Sequence, residues 1–146
     1  MIGLLQRVSQ ARVEVEGATI GSIEAGVLAL VCAEPQDSER VAERLLERLL
    51  GYRVFPDGSG KMNLSLKDVA GGLLLVPQFT LAADTTKGMR ASFSSAASPE
   101  LAKTLFECLV ERARTLHSPV ACGRFGASMQ VSLTNDGPVT FWLRAT

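Results

Sequence analysis

The 146-residue sequence lacks the features of several large protein classes. No apolar run approaches the roughly 18 residues that a membrane-spanning helix requires. The opening segment, MIGLLQRVSQ, becomes polar after five residues, too early for a signal peptide. We therefore expect a cytoplasmic protein with no membrane partner, and the length fits a single domain covering residues 1–146.

Histidine and cysteine are too scarce for a convincing metal centre. The sequence has one histidine, His117, and three cysteines without paired spacing, Cys32, Cys108 and Cys122. Structural zinc sites need about four such ligands at short, regular intervals. We therefore expect no metal and no cofactor, and we interpret the cysteines as buried free thiols in a reducing cytosol.

An excess of either charge is also absent, because 15 basic residues balance 15 acidic ones. General nucleic-acid binders take their affinity from a basic surface, so the balance argues against a DNA partner. It leaves room for a small local site that binds the end of an RNA. Alternating glutamates and arginines between residues 39 and 48 could face RNA, but such a row is more typical of a solvated helix face with ion pairs.

Periodicity predicts the main strands and helices. Residues 11–16 alternate as a half-buried strand, and the apolar run 27–33 indicates a strand covered on both faces. Residues 37–51 form an amphipathic pattern with Asp37 or Ser38 as the cap. A second helix begins after Ser98 with Pro99 at its first position. The order of elements predicts an α/β fold with a mixed, largely antiparallel sheet and two main helices.

The stretch LTNDGPVTFW predicts a hairpin with an unusual feature. Asn135-Asp136-Gly137 is a typical turn, and apolar residues alternate on both sides of it. Pro138 follows immediately, where the returning strand should begin to pair, and proline has no N–H to donate to a sheet. The Gly137-Pro138 corner is therefore either a turn detail or a feature displayed for a partner.

The usual catalytic constellations are missing. The sequence contains no Gly-x-Ser-x-Gly motif and no Walker loop, and His117 lies at a helix end that does not favour a triad. Gln78, Phe79 and Thr80 follow directly after a buried strand, a common place for ligand sites. Alternatively they are ordinary turn, core and strand residues.

These two places resemble the motifs of the D-aminoacyl-tRNA deacylase family. That family carries Ser-Gln-Phe-Thr near its middle and Asn-x-Gly-Pro-[Val/Thr] near its end, which stand here as PQFT and NDGPVT. MIGLLQRV, LGYRVF, GKMNLSL, GMRASFS and GRFGASMQVSL are also similar to the family, so the resemblance covers nearly the whole chain. Pro77 replaces the frequent serine, so this position offers neither a hydroxyl nor an N–H.

The resemblance implies the family's curled-sheet fold and a homodimer that hydrolyses D-aminoacyl-tRNA at the ester on the aminoacylated 3′ end. It also implies a cis Gly137–Pro138 bond and a corner that enters the active site of the other subunit. Two main-chain carbonyls would then hold the α-amino group and crowd an L side chain. Glycyl-tRNA would be cleaved too, since glycine has no side chain to reject.

The same resemblance assigns the catalytic region to Gln78, Phe79 and Thr80. Main-chain N–H groups around Phe79 and Thr80 would form the oxyanion site, and the 2′-hydroxyl of the terminal adenosine would supply activation. Phe79 would stack on that adenosine and Gln78 would position the 3′ end. Thr80 as a nucleophile is the alternative, but the sequence offers it no adjacent base.

Three further substrate-binding residues complete the prediction. Arg7 would brace the incoming corner, although a structural ion pair is the simpler interpretation. Phe125 and Met129 would line the pocket, with core packing as an equal alternative. Two other functions stay open: a dimeric binding module without chemistry, and a protein-side-chain esterase that uses Thr80 or a serine.

Overall fold

The computed structural model describes residues 1–146 and contains eight strands and three helices. The strands are β1 (Ile2–Val15), β2 (Ala18–Ile23), β3 (Gly26–Cys32), β4 (Phe55–Pro56), β5 (Met62–Leu64), β6 (Gly72–Pro77), β7 (Val120–Cys122) and β8 (Gln130–Arg144). The helices are α1 (Glu39–Gly51), α2 (Leu66–Val69) and α3 (Pro99–Leu116). None of the helices is both long and apolar enough to cross a membrane.

The main sheet is built around the long strand β1. It has the order β2-β1-β3-β6-β7, and β8 also pairs with β1. The three pairings of β1 are antiparallel, whereas β3 with β6 and β6 with β7 are parallel. The sheet curls so far that a Cβ added to Gly21 in β2 would come within 2.9 Å of the Cys122 carbonyl oxygen in β7. The predicted mixed, largely antiparallel curled sheet is confirmed.

Helices cover one face of the sheet, and the curl encloses part of the other. In β3, Val27 and Val31 pack in the helix-side core, whereas Leu28 packs in the core of the opposite face. In β6, Leu73 and Leu74 divide between the two cores in the same way. The prediction that residues 27–33 form a strand covered on both faces is therefore confirmed.

Both main helices begin close to their predicted caps. The Ser98 hydroxyl accepts a hydrogen bond from the Leu101 N–H at 3.3 Å, which satisfies one free donor of the first turn of α3. Ser38 stands at the N-cap of α1 but makes no side-chain cap bond. The acidic and basic residues of α1 form a solvated face, with Arg44–Glu47 paired at 2.9 Å.

The predicted hairpin at residues 135–137 is wrong, because β8 continues through it as one strand. Its pairing with β1 runs from Gln130 opposite Glu14 to Arg144 opposite Ile2. Between the Asn135–Val8 and Thr140–Gln6 pairs, residues 136–139 of β8 stand against the single residue Arg7 of β1. The corner is therefore a large bulge, and Pro138 lies where the chain has left the ladder and needs no N–H.

Candidate active site

A cavity of about 490 Å³ opens beside the carboxyl end of β6. Its walls are mostly apolar and come from three segments: the end of β6 with the following turn, the start of α3, and the connection between β7 and β8. Four predicted site residues line it: Gln78, Phe79, Phe125 and Met129. Thr80, Arg7, Gly137 and Pro138 do not.

The turn at Gln78–Ala82 is tied to the neighbouring strand. The Gln78 N–H donates to the Val31 carbonyl of β3 at 2.7 Å. Residues Phe79–Ala82 then form one 3-10 turn. As the first donors of this turn, the N–H groups of Phe79 and Thr80 have no acceptor within it. The turn that borders the cavity therefore leaves two backbone donors without an intrahelical partner.

The Thr80 hydroxyl has no base beside it. Its oxygen accepts a hydrogen bond from the Gln78 side-chain amide, and an amide N–H cannot take a proton from it. The single histidine is engaged elsewhere, since His117 Nε2 lies 2.6 Å from the Gly71 carbonyl oxygen. No group of three or more His, Cys, Asp and Glu side chains is arranged to hold a metal ion.

Phe79 presents its ring to solvent rather than to the core. The residue is 56% exposed, and its ring meets Phe93 at a centroid distance of 5.1 Å with an interplanar angle of 56°. Tilted pairs of this kind are favourable beyond their burial. The alternative interpretation of Phe79 as a core residue does not fit this exposure. An exposed aromatic pair beside a cavity suits stacking with a planar ligand.

Cys32 contacts the 3-10 turn through its side chain, a contact that the sequence analysis did not predict. Its thiol is buried and lies 3.4 Å from the Phe79 carbonyl oxygen. Burial raises the pKa of the Cys32 thiol above its ordinary value of 9.0, so the group stays protonated and donates. The contact depends on where the 3-10 turn returns to β3, and no local pattern encodes that.

Phe125 and Met129 both line the cavity and pack against the core, the two roles that the sequence left as alternatives. Both line the cavity. Phe125 also packs against the helix-side core and Met129 against the core of the opposite face. The Met129 sulfur accepts from the Arg124 N–H at 3.4 Å, which shapes the connection between β7 and β8.

The Gly-Pro corner is exposed and braced at its base. Arg7 donates from Nε to the Asp136 carbonyl at 3.1 Å and from Nη1 to the Val54 carbonyl at 2.6 Å. The Asp136 carboxylate lies 3.5 Å from Arg7 Nε, so Arg7 forms an ion pair and holds the corner of its own chain, and its contact with the incoming corner of a second copy stays a prediction. Gly137 has φ +133° and the Gly137–Pro138 bond is cis.

Comparisons with known proteins agree over nearly the whole chain. The family model described as D-Tyr-tRNA(Tyr) deacylase matches residues 4–144. The D-aminoacyl-tRNA deacylase of Thioalkalivibrio sulfidiphilus (strain HL-EbGR7) is 64% identical, with 98% of this chain and 96% of that protein covered. The protein of that name from Janthinobacterium sp. (strain Marseille) is 61% identical, covering 99% of this chain and 97% of the relative.

Two solved structures share the fold. One, named c-Myc DNA Unwinding Element Binding Protein, has a TM-score of 0.94 at 36% identity and covers 100% of this chain and 99% of its own. The other, described as a probable eukaryotic D-amino acid tRNA deacylase, has a TM-score of 0.83 at 17% identity over 97% of both chains. The second shows the fold alone. From the family model and the relatives above 60% identity, the chain belongs to the D-Tyr-tRNA(Tyr) deacylase family.

Proposed function

We propose that the protein is a D-aminoacyl-tRNA deacylase, an enzyme that hydrolyses the ester between a D-amino acid and the terminal ribose of tRNA. Family membership supports the reaction class. The observation that carries the site is a largely apolar cavity bordered by a turn whose first two N–H groups have no acceptor within it, with no base beside the Thr80 hydroxyl. Such a site can stabilise charge on a carbonyl oxygen but cannot itself activate a nucleophile.

In the proposed reaction the protein therefore stabilises the charge, and the tRNA supplies the group that activates water. Water adds to the ester carbonyl carbon, and negative charge develops on the carbonyl oxygen. The Phe79 and Thr80 N–H groups stabilise this charge by donating hydrogen bonds to the oxygen. Removing one donor of this kind costs about 100- to 1000-fold in rate where it has been measured. The 2′-hydroxyl of the terminal adenosine accepts a proton from the attacking water and passes its own proton to the leaving 3′ oxygen. The C–O bond to the ribose breaks, and the water's oxygen remains on the released amino acid.

Binding of the terminal adenosine fits the exposed aromatic pair. Phe79 offers a ring face for stacking, a contact of about 1–3 kcal/mol per base. Gln78 holds the 3′ end through its side chain, and Phe125 and Met129 form the apolar wall that receives the amino-acid side chain.

Chirality is assigned to the Gly-Pro corner of a second copy of the chain. The corner is exposed and does not line the cavity of its own chain, so a homodimer in which one corner enters the partner's cavity unites the two. The Gly137 and Pro138 carbonyls then bind the α-amino group and leave no room for an L side chain. Because glycine has no Cβ, the backbone at Gly137 can approach closely.

Selection by steric exclusion of an L side chain cannot reject an amino acid that has no side chain. Glycyl-tRNA offers no side chain to exclude, so it is a substrate as well. The cytoplasmic location expected from the cysteine usage remains a prediction. DNA binding, which the name of one structural relative mentions, gains no support from a chain with zero net charge.

Deacylation of matched esters tests the proposal. D-Tyr, Gly and L-Tyr esters of one tRNA are incubated with the purified protein, and D-Tyr and Gly should be released while L-Tyr stays bound. A binding module would release none of them. A substrate with a 2′-deoxy terminal adenosine should react far more slowly than its parent, and equal rates would return the mechanism to a protein nucleophile.

A further inference from the structure

Some lysines and arginines of this neutral chain have a side-chain partner within the protein, and others have none. Of 15 lysines and arginines, nine make an ion pair or hydrogen bond through their side chains. The other six are exposed and have no partner: Arg40, Lys61, Lys67, Lys87, Arg90 and Arg124. Unpaired, exposed cations are the ones available to an anionic ligand without first breaking a bond.

Three of these six stand on two segments that each contribute at least one residue to the cavity wall. Lys87 and Arg90 belong to the loop of residues 83–97, whose Ala97 lines the cavity. Arg124 directly precedes Phe125, which lines it from the other side. We call Lys87, Arg90 and Arg124 the basic rim.

Acidic residues are few in the two segments that carry the rim, although Glu107 and Glu111 of α3 line a neighbouring cleft together with Arg124. Segments 83–97 and 123–129 contain one acid between them, Asp84. Its carboxylate is occupied, since it accepts from the Thr86 N–H at 3.0 Å and the Thr86 hydroxyl at 2.7 Å. These bonds hold the pKa of Asp84 below its ordinary value. The next acid along the chain is Glu100, in the first turn of α3.

The loop that carries Lys87 and Arg90 is tied to the site at its base. Asp84 and Ser92 exchange backbone hydrogen bonds of 2.8 and 3.0 Å. One residue further, Phe93 packs its ring against Phe79. The two cations are therefore displayed from a closed loop whose base lies against the proposed adenosine platform.

We propose that the basic rim binds the phosphates of the single-stranded 3′ end of tRNA and guides its terminal adenosine into the cavity. The inference rests on the proposed function and adds the surface that recognises the RNA. It also offers a way for a chain without net charge to bind RNA, because three unpaired cations stand on segments that contribute residues to the cavity wall.

The size of the effect follows from counterion release. For single strands, log K changes with log salt by about −0.7 per phosphate contact, so three contacts give a slope of about −2. Between 50 and 200 mM salt, those contacts should account for roughly a 20-fold loss of tRNA affinity in the parent. Removing them should make the slope shallower by about 2.

The test compares two triple variants on two substrates. The rim variant carries Lys87→Gln, Arg90→Gln and Arg124→Gln, and the control carries Arg40→Gln, Lys61→Gln and Lys67→Gln, the other three unpaired cations. Each loses the same charge from exposed positions. The substrates are D-Tyr-tRNA and the D-tyrosyl ester of adenosine, which has the same reacting group and no phosphate. Affinity for uncharged tRNA is measured in parallel across the salt series.

The rim variant should lower the ratio of kcat/KM on D-Tyr-tRNA to that on the adenosine ester about tenfold or more, mainly through KM. Its salt slope for tRNA should flatten, and the control should match the parent. Equal losses in both triple variants, or an unchanged tRNA affinity and slope in the rim variant, would overturn the proposal. A parent that cleaves neither ester refutes the proposed function instead, and the tRNA-binding series still decides the rim.

Discussion

The cavity and the Gly-Pro corner differ in almost every physical respect. The turn beside the cavity is anchored to the interior, with Gln78 bonded to β3 and the Cys32 thiol beneath Phe79. The corner is an exposed bulge in β8, fixed only at its base by Arg7. The cavity supplies walls and free N–H donors but no chiral group, whereas the corner supplies carbonyls but no walls. In the proposed mechanism, therefore, neither region forms an active site without the other.

Damage to the corner should produce the largest effect. In Gly137→Ala the new Cβ would meet Val139 Cγ2 at 2.8 Å and Arg7 Nη2 at 3.2 Å, at a φ of +133° that side chains rarely adopt. The corner must shift, and a displacement near 1 Å in a reacting geometry costs about 100-fold. We expect a loss of that size in kcat/KM on D-Tyr-tRNA, measured by single-turnover deacylation.

Gly58→Ala is the matched control, because nothing lies within 4 Å of its added Cβ. It should retain parental activity. An active Gly137→Ala would remove the corner from the mechanism. Circular dichroism checks that Gly137→Ala keeps its fold, so that its loss of activity is assigned to the corner.

The brace under the corner should matter next. Arg7→Met keeps the aliphatic stem but leaves the Val54 carbonyl, on a fully buried residue, without its donor. An unsatisfied buried group costs about 1–3 kcal/mol of stability, and we expect about a tenfold loss of activity as the corner loosens. Denaturant unfolding and deacylation are measured together. Arg12→Met removes a surface pair with Glu14 and should change neither.

Thr80 tests the cavity side. Because its hydroxyl meets only the Gln78 amide, Thr80→Ala should keep kcat within about tenfold, or about 1.4 kcal/mol of transition-state stabilisation. The 2′-deoxy substrate should lose more than this with the parent enzyme. If Thr80→Ala is the more damaging change, the hydroxyl and not the RNA carries the reaction.

Cys32 should give the smallest effect, and one that depends on pH. Its folded-state pKa is raised by burial above 9.0, so its contribution to stability is complete below pH 9 and is lost as the pH rises through the folded value. The free energy of unfolding should therefore fall more between pH 8 and pH 10 in the parent than in Cys32→Ser, which does not ionise there. Cys108 also has a raised pKa, but it is present in both proteins, so its effect cancels when the parent is compared with Cys32→Ser. Identical pH dependence would mean that the thiol is not buried under the turn.

Sequence periodicity predicted the regular parts of the molecule and failed at the bulge. The leucines of α1 and the cap at Ser98 follow from local rules. Residues 131–143 alternate identically whether they form a hairpin or one bulged strand, and only the distant partner β1 decides between them. The Cys32 contact and the Phe79–Phe93 pair also join residues far apart in sequence. The candidate site residues were predicted through motif resemblance, which also implied that the corner acts in another subunit. The structure adds that Gly137 and Pro138 lie outside the cavity of their own chain.

Subunit complementation tests the central claim most directly. Two variants, each expected to be nearly inactive, are mixed under conditions that exchange subunits: Gly137→Ala, with an intact cavity, and Gln78→Ala with Phe79→Ala, with an intact corner. If the corner of one chain completes the cavity of another, each mixed dimer contains one site with both parts intact, and D-Tyr-tRNA deacylation should recover to a substantial fraction of the parental rate. If corner and cavity act within one chain, every site stays defective and mixing restores nothing, which would contradict the shared site.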